Sequence, residues 1–168
     1  VNRPRNHYYQ IGVVPTETVM AALAQAAPGR YSYLVFEGFL VETGSHRIHT
    51  YKRHGCKCQA CGRVADRFVA EVGITDMALL KWYFNPLDNP APKAHLNLYG
   101  TDPDTGEEFM MTSDHKRPKS LGGSDSVRNR IPLCERCNQL KGNDPTWLTD
   151  LPKDQDGNLV HRKHKQTR

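Results

Sequence analysis

The chain has 168 residues, enough for one domain with a sizeable core or a small domain carrying an extension, and too few for two large ones. Lysine and arginine outnumber aspartate and glutamate by 23 to 18, a formal net charge of +5, which is the direction expected of a protein that meets a polyanion. No apolar run approaches the roughly 18 to 20 residues of a membrane span, and the N-terminus lacks the regions of a signal peptide, so the chain reads as a soluble, intracellular protein with no membrane partner.

The first predicted element is a helix in PTETVMAALAQAAPG, Pro15 to Gly29, with Thr16 as its N-cap and Pro-Gly as its stop. YSYLVFEGFLVE follows, rich in aromatic and branched residues, and reads as one or two strands. HRIHTYKRHG reads as a basic approach to the first cysteines, with His46, His49 and His54 as solvated surface, since no acidic or cysteine partner lies at ligand spacing. In RVADRFVAEVGITDMALLKWYFN, Val64, Phe68, Val69 and Val72 fit a helical stripe while RFVAEV fits a strand, and periodicity does not separate the two. ITDMALLKWYF reads as helix with Thr75 as cap, and NPLDNPAPK as loop.

AHLNLYGTDPDTGEEFMMTSDH places two alternating runs on either side of the turn signals Asp102-Pro103 and Thr105-Gly106, which predicts a β-hairpin whose second strand delivers Asp114 and His115. From Pro118 to Arg130 the Gly, Ser and Asp content predicts a loop, IPL a short strand, and CERCNQLKG a knuckle running into a helix that ends near Gly142. Beyond Trp147 the chain loses hydrophobic periodicity and reads as a mobile, basic tail containing Arg162, Lys163, Lys165 and Arg168.

Five cysteines occur, of which Cys58/Cys61 and Cys134/Cys137 form two C-x-x-C pairs while Cys56 is left over. Each pair can place both sulfurs on one metal, and two pairs complete the four-thiolate tetrahedron that Zn²⁺ favours. About 72 residues lie between Cys61 and Cys134, and closing that loop costs roughly 4 kcal/mol of chain entropy. Structural zinc contributes about 10 to 16 kcal/mol in small peptides, which exceeds the cost. Such a site has no open position, so it is a staple and the chemistry lies elsewhere.

That chemistry centres on SDHKRPKSLGG, an acid and an imidazole side by side within positive charge. Phosphodiester hydrolysis needs an activated water and neutralisation of the phosphoryl oxygens, and a general base alone supplies only about 10² to 10⁴ of the rate. Asp114 offers a hard oxygen ligand and Asn138 a carbonyl oxygen, a set suited to Mg²⁺ or Mn²⁺. On a regular strand Asp114 and His115 point to opposite faces, so both reach one site only where the strand ends or twists.

SDHKRPKSLGGSDSVRNRIPLCERCNQLKGN, with the upstream CQACG and HLNLYG, resembles the HNH nucleases of the ββα-metal or His-Me finger superfamily, in a zinc-stapled, phage-type branch, over roughly Cys58 to Asn143. The resemblance implies His115 as general base, Asp114 and Asn138 as ligands of a divalent cation, Asn129 as the residue that holds the loop and orients His115, and Lys141 near the scissile phosphate. Asn138 stands where many members have a final His, so the chain is an H-N-N variant. Lys116, Arg117, Lys119, Arg128 and Arg130 surround the proposed site and are expected to contact nucleic acid through phosphate.

The expected protein is thus α+β: an N-terminal helix and strands over residues 1–50, a zinc-stapled HNH core over 51–148 and the tail over 149–168. Its expected activity is divalent-metal-dependent cleavage of DNA, by a monomer that nicks or a dimer that cuts both strands. The alternative is a zinc-stabilised nucleic-acid-binding module without useful catalysis.

Overall fold

The computed structural model describes residues 8–30, 32–73, 93–153 and 155. Strands β1 (Tyr8–Val14), β2 (Tyr33–Phe36), β3 (Phe39–Glu42), β4 (Arg67–Gly73), β5 (Lys93–Thr101), β6 (Glu108–His115) and β7 (Arg130–Cys134) alternate with helices α1 (Thr16–Gln25), α2 (His46–His54) and α3 (Glu135–Lys141). Both element types are present, so the α+β class holds. The chain divides into two compact units: one takes residues through Ser45 together with Arg67–Asn97, the other His46–Asp66 and everything from Leu98. The division interleaves along the chain, where the sequence reading drew boundaries after residues 50 and 148. Strand β5 is continuous through both, changing unit after Asn97.

The first unit has strand order β1-β4-β5-β3-β2. RFVAEV resolves as strand: β4 pairs antiparallel with β1, an element with no sequence expectation, across a register shift between Gln10 and Gly12. YSYLVFEGFLVE forms two strands joined through Glu37 and Gly38, whose φ values of 49° and 78° both lie in the left-handed region that a tight hairpin turn demands. Helix α1 buries Val19 and Leu23, and its N-cap is Pro15, which makes no side-chain capping bond; Thr16 is already inside the helix. Glu71, buried on β4, accepts hydrogen bonds from Gln10 Nε2 at 3.2 Å and from Asn97 Nδ2, which supplies the partners a buried carboxylate requires.

In the second unit the expected hairpin forms. β5 and β6 pair antiparallel, and Asp102 organises their connection by accepting from the N–H groups of Asp104 (2.9 Å) and Thr105 (3.2 Å) while pairing with Arg63 at 2.7 Å. β7 then pairs with β6, with His115 opposite Arg130 and Asp114 opposite Ile131. The basic stretch HRIHTYKRHG is a helix rather than a solvated approach. It packs on β6, β7 and the turn at Val127–Asn129, burying Ile48, His49, Thr50 and Tyr51. The basic composition conceals that face, but Ile48 and Tyr51 are three apart and share one side. The expected helix after Thr75, the loop NPLDNPAPK, most of the segment between Gly73 and Lys93, and the basic end of the tail lie outside the described residues.

Tyr51 shows how α2 is fixed to the sheet. Its hydroxyl donates to the Met111 carbonyl at 2.9 Å in a buried setting, and burial holds the phenol well above its ordinary pKa, so it remains a donor. Tyr51→Phe should cost about 1 kcal/mol of stability, read as a shift in chemical-denaturation midpoint.

Candidate active site and metal centre

Two short turns carry the cysteines. In the first, Cys58 donates its N–H to Arg63 O (2.8 Å) and accepts from Gly62 N–H (3.0 Å), while Lys57 bridges Val64, so the chain doubles back and projects Cys58 and Cys61 together. In the second, Cys134 closes β7 and stands at the N-cap of α3, and Cys137 lies in the helix's first turn. The two turns are joined directly by a bond from Gln59 N–H to Pro132 O at 3.0 Å. All four Sγ atoms lie within 4.8 Å of one another, with Cys61 and Cys134 at 3.7 Å. A tetrahedral zinc with Zn–S bonds of about 2.3 Å requires sulfurs about 3.8 Å apart, so the cluster fits the ion. Cys56 stays outside the cluster, and burial pushes its thiol up, away from thiolate.

Asp114 and His115 end β6, where the strand gives way to the loop. Asp114 Oδ2 lies 2.8 Å from Lys141 Nζ of α3, whose side chain is 1% exposed. An ammonium that deep requires a counter-charge, and Asp114 supplies it. The Asp114 carboxylate and the half-buried Asn138 amide on α3 are hard donors of the kind Mg²⁺ and Mn²⁺ take, so the donor set fits a divalent cation in kind.

Asn129 clasps the loop. Its backbone carbonyl accepts from Lys116 N–H (2.7 Å), one step beyond the His115/Arg130 pair. Its side chain then continues the pattern: Oδ1 accepts from Arg117 N–H at 3.0 Å, while Nδ2 donates to Arg117 O (3.0 Å) and Ser124 O (2.8 Å). Gly123 closes the same loop through Pro118 O at 2.9 Å.

The five cations of the sequence reading separate into two groups. Lys116, Arg117 and Arg128 are exposed, and Lys116 and Arg117 line an open cavity of about 560 Å³ with Leu121, Asn129 and Pro145. Arg117 Nε is held by Leu121 O at 2.8 Å. Lys119 and Arg130 instead converge on Asp125, a residue that sequence reasoning missed: Lys119 Nζ lies 3.0 Å from Oδ2, and Arg130 Nη2 bonds Oδ1. His115 Nε2 lies 2.9 Å from the same Oδ1. Arg130, then Lys119, then His115 hold the Asp125 carboxyl well below the usual carboxylate range. Nothing in GGSDS distinguishes Asp125 from an ordinary loop aspartate, and only the convergence of β6, β7 and the loop reveals it. On α2, burial pushes His49 and His54 below the ordinary imidazole value, and their Nε2 atoms are buried without a hydrogen-bond partner among the described residues.

Residues 103–144 match the family model described as HNH endonuclease, a stretch that takes in β6, the loop, β7 and α3. The chain carries an HNH endonuclease domain there, and that domain type is a nuclease domain in general. Neither the comparison with curated proteins nor that with solved structures finds a match. No described helix is long and apolar enough to cross a membrane.

Purified protein should contain one zinc per chain by elemental analysis. Cys137→Ser should lower that content and reduce the thermal stability of the second unit, since a structural zinc contributes folding free energy directly. A Cβ on Gly123 would sit 1.8 Å from Arg117 O. Gly123→Ala should therefore force the loop open and destabilise by about 1 to 3 kcal/mol or more, seen as faster amide exchange at Arg117 and Asn129.

Proposed function

We propose that the protein is a divalent-metal-dependent DNA endonuclease that hydrolyses phosphodiester bonds at an H-N-N site, acting inside a cell and belonging to a phage-type branch. The observation that carries this reading is the joint placement of Asp114 and His115 at the end of β6, with Asn129 clasping the loop and the Lys141-paired carboxylate facing α3. Within it, His115 takes the proton of the attacking water. Asp114 and Asn138 would hold a Mg²⁺ or Mn²⁺ ion, with Zn²⁺ confined to the four cysteines, and a cation held there would supply Lewis-acid stabilisation of charge on the phosphoryl and leaving oxygens. Asn129 keeps the loop, and with it the His115 backbone, in one conformation.

Lys141 is a counter-charge for Asp114, and it reaches substrate only through that carboxylate's neighbourhood. Lys116, Arg117 and Arg128 are exposed and would meet the backbone of DNA, and the cavity beside Asn129 is large enough for a sugar-phosphate unit. Lys119 and Arg130 act in the loop scaffold. Contacts of this kind go to phosphate and give binding that weakens steeply with salt and carries little base information.

Supercoiled plasmid incubated with Mg²⁺ or Mn²⁺ should be converted to nicked or linear product, with none formed in EDTA. His115→Ala should slow the conversion by about 10² to 10⁴ while retaining zinc. Cleavage that survives this substitution unchanged would sink the assignment of the base, and DNA binding without any cation-dependent cleavage would favour the binding module.

A further inference from the structure

The geometry points to Asp125 as a positioning residue that holds His115 in the tautomer with hydrogen on Nε2 and a bare Nδ1. This rests on the reading of His115 as general base and adds to it the residue that selects which ring nitrogen can accept the proton. His115 Nε2 and Asp125 Oδ1 are 2.9 Å apart, a hydrogen-bond distance, and one partner must donate. Asp125 cannot, because an ionised carboxylate has acceptors only. Arg130 and Lys119 bond the same carboxylate and keep it ionised. The hydrogen therefore sits on Nε2, and in the neutral ring the lone pair is left on Nδ1, the nitrogen that then receives a proton from water.

Asp125 is itself held in place from both sides. Arg130 donates through Nη1 to Ser113 O (3.2 Å) and Ser113 Oγ (3.4 Å) and through Nη2 to Asp125 Oδ1. Ser113 donates in turn to Thr50 Oγ1 on α2 at 3.0 Å. The carboxylate is thus referenced to β6, β7 and α2, although its own side chain is 49% exposed and its loop has no strand pairing. A carboxylate partner on an imidazole is worth about 10- to 100-fold where it orients a metal-bound ring, and the same order is expected for a ring that serves as base.

Two substitutions separate the possibilities. In Asp125→Ala no acceptor faces Nε2. In Asp125→Asn the amide oxygen keeps the Oδ1 position, because Arg130 is anchored there by Ser113 while the exposed Lys119 beside Oδ2 can swing away from the amide NH₂. The test is long-range ¹H–¹⁵N correlation of imidazole-labelled full-length protein at about pH 8, where an ordinary imidazole is neutral, with the His115 signals identified by their loss in His115→Ala. Zinc content and melting temperature establish that each variant is folded. The expected result is a wild-type His115 with hydrogen on Nε2, retained in Asp125→Asn and replaced by a mixture or by the Nδ1–H form in Asp125→Ala. Plasmid cleavage by Asp125→Ala should fall about 10- to 100-fold in kcat with little change in KM. A wild-type ring carrying hydrogen on Nδ1, or a tautomer that Asp125→Ala leaves unaltered, overturns the proposal, as does a change confined to KM. The nitrogen spectra are read without turnover. A protein that cuts no DNA but shows the tautomer change upholds the hold on the ring while removing the nuclease reading, and active protein without the change does the reverse.

Discussion

Four sulfurs held within 4.8 Å of one another are a demanding arrangement for thiols alone. Thiols hydrogen-bond weakly, so little besides a shared cation gains from bringing four of them to tetrahedral spacing. The cluster joins a turn at Cys58–Cys61 to the junction of β7 and α3, positions 73 apart in sequence in the case of Cys61 and Cys134. That junction sets where β7 ends, and the β6/β7 register then sets where His115 and Asp114 stand. A shift of one residue in that register would turn Asp114 away from Lys141 and His115 away from Asp125.

From the register a polar chain runs outward, through Thr50, Ser113, Arg130 and Asp125 to His115. The links from Thr50 through Ser113 to Arg130 are part-buried, where a satisfied network is rigid and a broken one is costly, and the two links to Asp125 extend it to the exposed loop. Asn129 adds a second constraint from the other side of the loop by acting as a strand partner for Arg117 with its side chain. The loop is therefore irregular in conformation and still held at defined points.

Asp114 and Lys141 form a different kind of constraint. The lysine side chain is nearly fully buried and meets the Asp114 carboxylate at 2.8 Å. The pair places the carboxylate beside α3 against a buried ammonium. It also accounts for why a lysine so close to the site in sequence is not among the exposed cations that can meet a polyanion.

Much of the second unit could be read directly from sequence, because its signals are local. Turn chemistry at Asp102-Pro103 and Thr105-Gly106 marked the hairpin, C-x-x-C spacing marked the cluster, and the Asp-His and Asn-x-x-Lys patterns marked the domain that the family match covers. Local signals also misled. HRIHTYKRHG looks solvated by composition and is a packed helix, since one apolar residue per turn suffices to bury a face against a sheet. What only the tertiary structure decided are the pairings between distant side chains: Asp114 with Lys141, and Asp125 with His115, Lys119 and Arg130. Residue type and spacing determined which groups were available to hold metal or move a proton. Which charge meets which depends on strand register and loop closure, and those are set by packing across the whole unit.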